Sequence, residues 1–325
     1  MLSSRGLRRR VAVGAEIGWP GVARVLFVYS GLNTFTQLDR DALAERFEVE
    51  EYLQPGARPR LRELVAKLRR CDAVFGWFAS WHTLAALHLA VLLGKPSVLV
   101  IGGFDTANVP EIGYGNQGDP IRRHRARRTI ARASRLITNS NYLEGEIERN
   151  LGIAPGRVRV APHGLPDRFG DTQPAKADPP TALTVGVVHR WNLERKGHLA
   201  FVRAARELPD VEFVLAGKWA DDAVDVLREE AGPNVTFTGF LSDEDLDARF
   251  LEATAYVQAS WHEGFGLAVA EAMLARCVPV VTEAGALPEV VGDTGVRIPG
   301  VTGEAVANGV REALGLDAEA GERAR

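Results

Sequence analysis

Two carboxylates eight residues apart bracket a glycine-rich turn in the segment Glu263-Gly-Phe-Gly-Leu-Ala-Val-Ala-Glu271. The first stands just before an expected helix, and the second lies about one turn inside it. A helix N-terminus carries unpaired N–H groups and roughly half a positive charge, so it attracts phosphate. From Gly266 to Glu271 the helix rises about 7–8 Å. That matches the reach from the sugar of a nucleotide-diphosphate-sugar, past the diphosphate, to the ribose. The expected order is therefore a sugar carboxylate, a diphosphate seat and a ribose carboxylate. The plainer alternative is a strand-to-helix turn with a solvated glutamate. Against it, Glu271 has Leu267, Leu274 and Ala275 as helical neighbours, and a carboxylate among apolar groups needs a hydrogen-bonding partner.

A second cluster fits the same chemistry. Thr184-Val-Gly-Val-Val-His-Arg190 reads as a buried strand ending in a cation, from its β-branched run. Lys196-Gly197 follows after a short loop, Trp191 to Arg195, and a helix starts near His198. Two cations at a strand end and before a helix can clamp a diphosphate, because ligands of open α/β sheets bind at the carboxyl ends of the strands. Two solvated surface charges are the alternative. A nucleobase site is expected at Gly239-Phe240-Leu241, whose backbone groups follow a strand. Ser242 there is a helix cap with Asp245 three residues on, and a plain capped turn explains those residues equally well.

With these pieces in place, the C-terminal half resembles the retaining glycosyltransferases of family four, which have the GT-B fold. The matching segments are His189-Arg190 with Lys196-Gly197, Phe213-Val-Leu-Ala-Gly217, Val235-Thr-Phe-Thr-Gly-Phe240, Ser260 to Glu271 and Pro279-Val-Val-Thr282. Ile137-Thr-Asn-Ser140 and Val160-Ala-Pro-His-Gly164 are similar as well, and the likeness is weaker before Leu136. The resemblance implies that Arg190 and Lys196 hold the donor diphosphate, that Glu271 binds the ribose and that Glu263 binds the donor sugar. It also implies that backbone amides from Gly264, Phe265, Gly266 and Leu267 assist, and that Phe240 and Leu241 meet the base. It implies transfer with retained anomeric configuration, by attack from the leaving-group face. No metal is expected if the cations carry the leaving charge, and no Asp-x-Asp pair is aimed at one. Asp221-Asp222 reads as a helix start.

The elements that must position these groups alternate, strand then helix, which is the pattern of parallel α/β sheets. Strands are expected near Val22–Tyr29, Phe47–Leu53, Ala73–Phe78, Ser97–Ile101, Leu136–Asn139 and Val158–Ala161, then near Leu183–Val188, Glu212–Ala216, Val235–Thr238, Ala255–Gln258 and Val278–Thr282. Helices fill the gaps, among them Arg60–Arg70, Thr83–Leu93, Arg122–Ala133, Tyr142–Asn150, His198–Glu207, Asp221–Glu230, Asp243–Glu252, Leu267–Ala275 and Gly303–Leu314. Pro166 to Pro180 holds four prolines and no apolar period, which reads as a linker. The expected division is a leader (1–21), an acceptor-side Rossmann-like domain (22–165), the linker (166–180) and a donor-binding Rossmann-like domain (181–325) facing it across a cleft.

Length and composition agree. A chain of 325 residues suits two domains rather than one core. A net charge of −3 gives no global attraction to nucleic acid. Cys71 and Cys277 have no metal spacing and form no disulfide framework, so they read as buried thiols in a reducing, cytoplasmic setting. No apolar run approaches the ~20 residues of a membrane span, and the basic leader around Leu7-Arg-Arg-Arg10 is too short in its apolar part for a signal core.

The acceptor side is less legible. Gly102-Gly-Phe-Asp105 follows a strand, so Asp105 is a candidate to orient or deprotonate the acceptor hydroxyl. The family often carries a histidine motif here, which this chain lacks. His82 and His124 are alternatives, and each reads equally as a structural or surface histidine. Gly31 in Ser30-Gly-Leu-Asn33 is placed to offer its backbone N–H to the donor phosphates, while Glu111 and Tyr114 are placed to line an acceptor pocket. Arg122-Arg-His-Arg-Ala-Arg-Arg128 is either a solvated face or a contact for an anionic membrane, such as the inner membrane face, or a phosphate-bearing lipid acceptor. Nucleic acid is disfavoured, since no aromatic residues interleave with the arginines.

The expected reaction is transfer of a hexosyl group from a nucleotide-diphosphate-sugar to an acceptor hydroxyl. Two rivals stand beside it, a nucleotide-sugar epimerase or hydrolase on the same fold and a non-catalytic nucleotide-sugar binding protein. The family usually ends with a helix that crosses back to its first domain, and Asp317 to Arg325 reads as the start of such a helix.

Overall fold

The computed structural model describes residues 23–154, 156–316 and 319–325, so the expected leader lies outside the described residues. The first half folds as β1 (Arg24–Tyr29), α1 (Thr34–Ala44), β2 (Glu48–Leu53), α2 (Leu61–Arg70), β3 (Ala73–Trp77) and α3 (Trp81–Leu92), followed by β4 (Ser97–Val100) and α4 (Gly103–Thr106). It continues with α5 (Pro120–Ile130), β5 (Arg135–Thr138), α6 (Asn141–Leu151) and β6 (Val158–Val160). Its sheet runs β2-β1-β3-β4-β5-β6 with parallel pairing. Helix starts are fixed by short polar residues. Asn33 and Thr36 form a reciprocal capping box on α1, Asp119 accepts from the backbone of Ile121 and Arg122 at 2.8 Å, and Ser140 accepts from Leu143 at 3.2 Å. Each such cap contributes about 1 kcal/mol.

The second half folds as β7 (Thr181–Val185), α7 (Asn192–Arg195), α8 (His198–Ala204), β8 (Glu212–Ala216), α9 (Ala223–Glu230), β9 (Val235–Gly239) and α10 (Asp243–Glu252). It ends with β10 (Ala255–Gln258), α11 (Leu267–Leu274), β11 (Val278–Thr282), α12 (Leu287–Val291), β12 (Val296–Ile298), α13 (Gly303–Leu314) and α14 (Ala320–Ala324). The sheet order is β12-β11-β10-β7-β8-β9, again parallel. Both faces of this sheet are covered, and alternation along each strand divides the core in two. Ala182, Phe213, Leu215, Ala255 and Val257 pack on one face. Leu183, Val214, Ala216, Tyr256 and Val281 pack on the other. This is why the strands read as continuous apolar runs.

Every strand expected from sequence has a counterpart, but the run Thr184–Arg190 is not one buried strand: β7 covers Thr181–Val185, Val187 is 48% exposed, and Arg190 lies in a turn past the strand rather than at its end. The segment 191–195, expected as a loop, contains the one-turn helix α7. A single turn is too short to show a 3.6-residue period, and Asn192 holds it by donating to the Val187 carbonyl at 3.0 Å. β12, with three residues, was not expected. The proline-rich segment 166–180 has no helix or strand but is strapped down. Phe169 is buried in the second core, and Lys176 donates to the carbonyls of Ala253 and Ala275 at 2.7 and 3.3 Å.

Packing divides the chain into two units. One takes residues up to Asp105, 119–137 and 156–159; the other takes 106–118, 138–155 and everything from Val160 onward. The division therefore does not fall at the linker alone, because the loop 106–118 and helix α6 pack with the second half. Cys71 and Cys277 are both buried free thiols. Among the described residues no helix is long and apolar enough to cross a membrane.

Candidate functional site

The second sheet reverses its winding between β7 and β10, which are neighbours although 67 residues separate the groups that follow them. From β7 the chain moves outward to β8 and β9; from β10 it moves the other way to β11 and β12. A crevice at the carboxyl ends of the strands is the geometric result of such a reversal. The loop after β7 delivers Lys196, and the loop after β10 delivers Glu263. Their side chains meet as an ion pair.

Glycine permits this approach. Gly197 has φ +71°, and a Cβ there would stand 2.0 Å from the Ala259 carbonyl oxygen. The backbone of Trp261 also donates to the Arg195 carbonyl at 2.9 Å. The two loops are thus locked edge to edge, with Lys196 aimed at Glu263. Gly266, at φ +102°, then turns the chain into α11.

Glu263 is further held by Ser260 Oγ, donating at 3.0 Å, and Gln258 Nε2 at 3.4 Å. Gln258 is itself fixed, since its Oε1 accepts from Tyr256 Oη at 3.0 Å and its Nε2 donates to Ser260 at 2.7 Å. Burial pushes the Glu263 carboxyl up, but Lys196 and Arg195 outweigh it and hold the acid below its usual range. Burial draws Lys196 below the ordinary lysine value, against the pull of Glu263. Tyr256, Gln258 and Ser260 were not singled out from the sequence as site residues. Their alternation along β10 and its extension puts them on one face, which is the only signal the sequence offered.

Glu271 lies one turn into α11, as expected from its position, and it does have a polar partner. Arg168, from the proline-rich segment, donates to Glu271 Oε1 at 2.9 Å and to Asp247 at 2.5 Å. Glu271 Oε2 meets no protein donor among the described residues. Arg190 makes a two-pronged contact with Asp222 at 2.6 Å, and its backbone N–H donates to Asp221 at 3.0 Å. Both Arg190 and Asp222 are exposed. Ahead of α11, the backbone N–H groups of Gly264, Phe265 and Gly266 donate to no protein acceptor among the described residues.

Phe240 is 78% exposed, Leu241 packs against the core, and Ser242 caps α10 by accepting from Asp245 at 3.1 Å. Tyr114 lies against the same loops, with its ring 5.4 Å from His262 and the Arg195 guanidinium 5.0 Å above it. Glu111 is exposed. His262 is buried, and its Nε2 stands 3.1 Å from the buried Glu146 carboxylate of α6. Ser140, at the start of α6, donates to the Gly264 carbonyl at 2.8 Å. His198, buried behind Lys196, is pushed down to about 3 by burial and by the neighbouring cations Lys196 and Arg195. His163 stacks edgewise on Phe265 at 5.3 Å and is lowered to about 4 by burial.

Two acceptor-side expectations are corrected. Asp105 is completely buried, with its carboxylate accepting from the backbone of Gly102 at 3.1 Å and of Ala79. Burial raises it to about 7. A carboxyl that solvent cannot reach holds the turn after β4 rather than serving an acceptor hydroxyl. His82 is also buried, with Nε2 2.7 Å from the Trp77 carbonyl, so it is structural. His124 is exposed on α5, and Gly31 is exposed after β1. Among the described residues no group of three or more His, Cys, Asp or Glu side chains is arranged to hold a metal.

Lys196 is thus paired with Glu263 just ahead of three amides that donate to no protein acceptor among the described residues, Glu271 is paired with Arg168, and Arg190 is paired with Asp222. Residues 179–315 match the family described as "Glycosyl transferases group 1", and residues 40–169 match "Glycosyltransferase Family 4". The chain is 32% identical over 183 residues to an O-antigen chain mannosyltransferase B of Escherichia coli, covering 50% of this chain and 47% of that one. It is 30% identical over 203 residues to a GDP-mannose:cellobiosyl-diphosphopolyprenol alpha-mannosyltransferase of Xanthomonas campestris, covering 59% and 50%. The chain thus spans about half the length of these curated relatives. Among solved structures, sucrose-phosphate synthase of Thermosynechococcus elongatus superposes with a TM-score of 0.73 at 18% identity, over 94% of each chain. Anabaena HepE, in complex with UDP and glucose, gives 0.72 at 18% identity, over 94% and 93%. These likenesses show the fold.

Proposed function

Because the chain belongs to the family-four glycosyltransferases with the GT-B fold, we propose that it moves a hexosyl group from a nucleotide-diphosphate-sugar to an acceptor hydroxyl, with retained configuration and without a metal. The acceptor is a glycolipid, a growing polysaccharide or another glycoconjugate. Relatives named for O-antigen chains and for a diphosphopolyprenol acceptor support that class, and they make mannosyl donors the first to test.

One observation carries this reading. The Lys196–Glu263 pair sits beside the unpaired amides of Gly264, Phe265 and Gly266 at the switch point of the second sheet. The reaction must stabilise negative charge growing on the leaving diphosphate, and preorganised donors do this without reorganisation cost. Lys196 carries three donors, and among the described residues only Glu263 is recorded as taking one. Arg190 is held only by an exposed ion pair, worth about 0–1 kcal/mol, so it turns to a diphosphate at little cost. Glu263 orients a sugar hydroxyl, Glu271 takes the ribose hydroxyls on its unused Oε2, and Phe240 and Leu241 border the base. Tyr114 borders the acceptor. The basic helix α5 meets an anionic membrane from which a lipid-borne acceptor is presented.

A thermal-shift panel of nucleotide sugars, GDP-mannose and UDP-glucose included, followed by turnover with the best binder, tests the proposal. The expected result is stabilisation by one nucleotide sugar and acceptor-dependent release of the nucleoside diphosphate. Equal release of free sugar with and without acceptor would make the chain a hydrolase, and binding without any turnover would make it a binding protein.

A further inference from the structure

A groove of about 590 Å³ opens between α3 and α5 in the first unit, and none of its lining residues belongs to the site above. Its floor comes from α3, where Trp81, Leu84 and Ala85 line it together with His88. These positions follow the i, i+3, i+4, i+7 spacing of one helix face. The same face continues to Val91 and Leu92, which are 54% and 68% exposed. The opposing wall comes from α5 and the turn after it, through Arg125, Arg128 and Arg132.

The two walls differ in charge. α3 carries no acidic, lysine or arginine residue, and from Pro120 to Arg135 the chain has seven arginines and no acid. No Asp or Glu lines the groove. Among the described residues none of the groove's arginines makes an ion pair. Arg132 is set across the opening, with Nε donating to His88 Nδ1 at 3.0 Å and Nη1 to the Arg128 carbonyl at 2.8 Å. Three guanidiniums on one wall repel each other, and an anion relieves that repulsion. An inorganic anion would leave the apolar floor unused, whereas a phosphate joined to a hydrocarbon chain matches both walls. Ile121, one turn before Arg125, is 64% exposed. Exposed large apolar side chains beside arginines suit a membrane interface.

We propose that this groove seats the phosphate headgroup of an anionic membrane lipid, with Arg125, Arg128 and Arg132 on the phosphate and the first chain carbons on Trp81 and Leu84. This deepens the membrane contact proposed above, and it rests on the transferase reading only for the reason the protein meets a membrane.

The test is co-sedimentation with vesicles of phosphatidylcholine alone or mixed with phosphatidic acid. Three variants are compared with the unaltered chain: Arg125→Gln/Arg128→Gln on the groove wall, Arg297→Gln/Arg311→Gln as an exposed pair in the second unit, and Ala85→Trp, which fills the floor at constant charge. At about 1 kcal/mol per basic residue near the surface, the groove pair should weaken binding to acidic vesicles roughly thirtyfold. Ala85→Trp should also weaken it, and the control pair much less. Equal loss in the two arginine pairs, or no preference of the unaltered chain for acidic vesicles, overturns the assignment. So does displacement by inorganic phosphate at constant ionic strength, which marks a free-anion seat, or tighter binding to a nucleic-acid duplex. Thermal shift with the nucleotide sugar is run on the same proteins. Vesicle binding without any donor response leaves the groove standing and removes the transferase reading; donor response without vesicle binding does the reverse.

Discussion

Replacing Lys196 by Ala should have two separable consequences, one for folding and one for chemistry. Lys196 and Glu263 are 21% and 11% exposed, so removing the lysine leaves a largely enclosed carboxylate without its counter-charge. Breaking a buried pair from one side costs about 3–5 kcal/mol. Ser260 at 3.0 Å and Gln258 at 3.4 Å remain on Glu263, which places the loss near the lower end, about 3 kcal/mol. For a unit of this size that lowers the melting temperature by about 6–12 °C. The sign with pH is fixed by the direction of the shift. In the unaltered chain burial opposes ionisation of Glu263, but Lys196 and Arg195 hold its pKa below the usual value. It therefore contributes stability above the unfolded pKa and loses it as pH falls through the folded one. Without Lys196 the burial is left, and the pKa moves up. The penalty should be largest at neutral pH and shrink over the acidic range in which the carboxyl protonates. Melting curves across that range, with Glu263→Gln added on the Lys196→Ala background, check this. The second substitution should return most of the lost stability by removing the stranded charge. Turnover, measured where the variant is folded, should fall about 10²–10³-fold. A variant that melts like the parent at every pH, or a double variant whose losses simply add, would refute the pairing. Undiminished turnover would refute the clamp.

Other outcomes follow from the same geometry. Glu271→Ala should weaken binding of the free nucleoside diphosphate about tenfold, by removing one charge-assisted hydrogen bond to the ribose; titration calorimetry that shows equal affinity would remove that role. Asp105→Asn should flatten the dependence of stability on pH. Burial raises the carboxyl to about 7, so in the parent stability falls as pH rises between about 4 and about 7, as the unfolded state ionises first. The variant should gain relative to the parent above that window, and melting curves with parallel pH profiles would contradict the burial of this acid.

Much of this architecture was readable before any coordinates. Apolar runs marked the central strands β7, β8, β10 and β11, because a strand covered on both faces must be apolar throughout; the run from Thr184 was carried too far, since β7 ends at Val185. Ser242 marked the start of α10, because the orphan N–H groups of a first turn need a local acceptor; the caps Asp119 and Ser140 of α5 and α6 were not read as such. The glutamate spacing across Gly264 and Gly266 pointed to an anion seat at α11, and Lys196-Gly197 pointed to a second loop. Elements of one turn, such as α7, escaped notice because no period can be counted in so few residues, and β12 was missed as well.

What no linear reading could supply was company. Lys196 meets Glu263 only because β7 and β10 become neighbours where the sheet changes winding direction. Glu271 finds Arg168, 103 positions away, only because the proline-rich strap lies down on the second unit. Asp105 looked like a base and is instead an enclosed turn-former, since burial depends on what covers a residue and not on its neighbours in sequence. Residue type and local spacing fix which groups are available and which way a short segment bends. Distances and solvent access at a site depend on non-local packing, so they were decided only when the strands found their order.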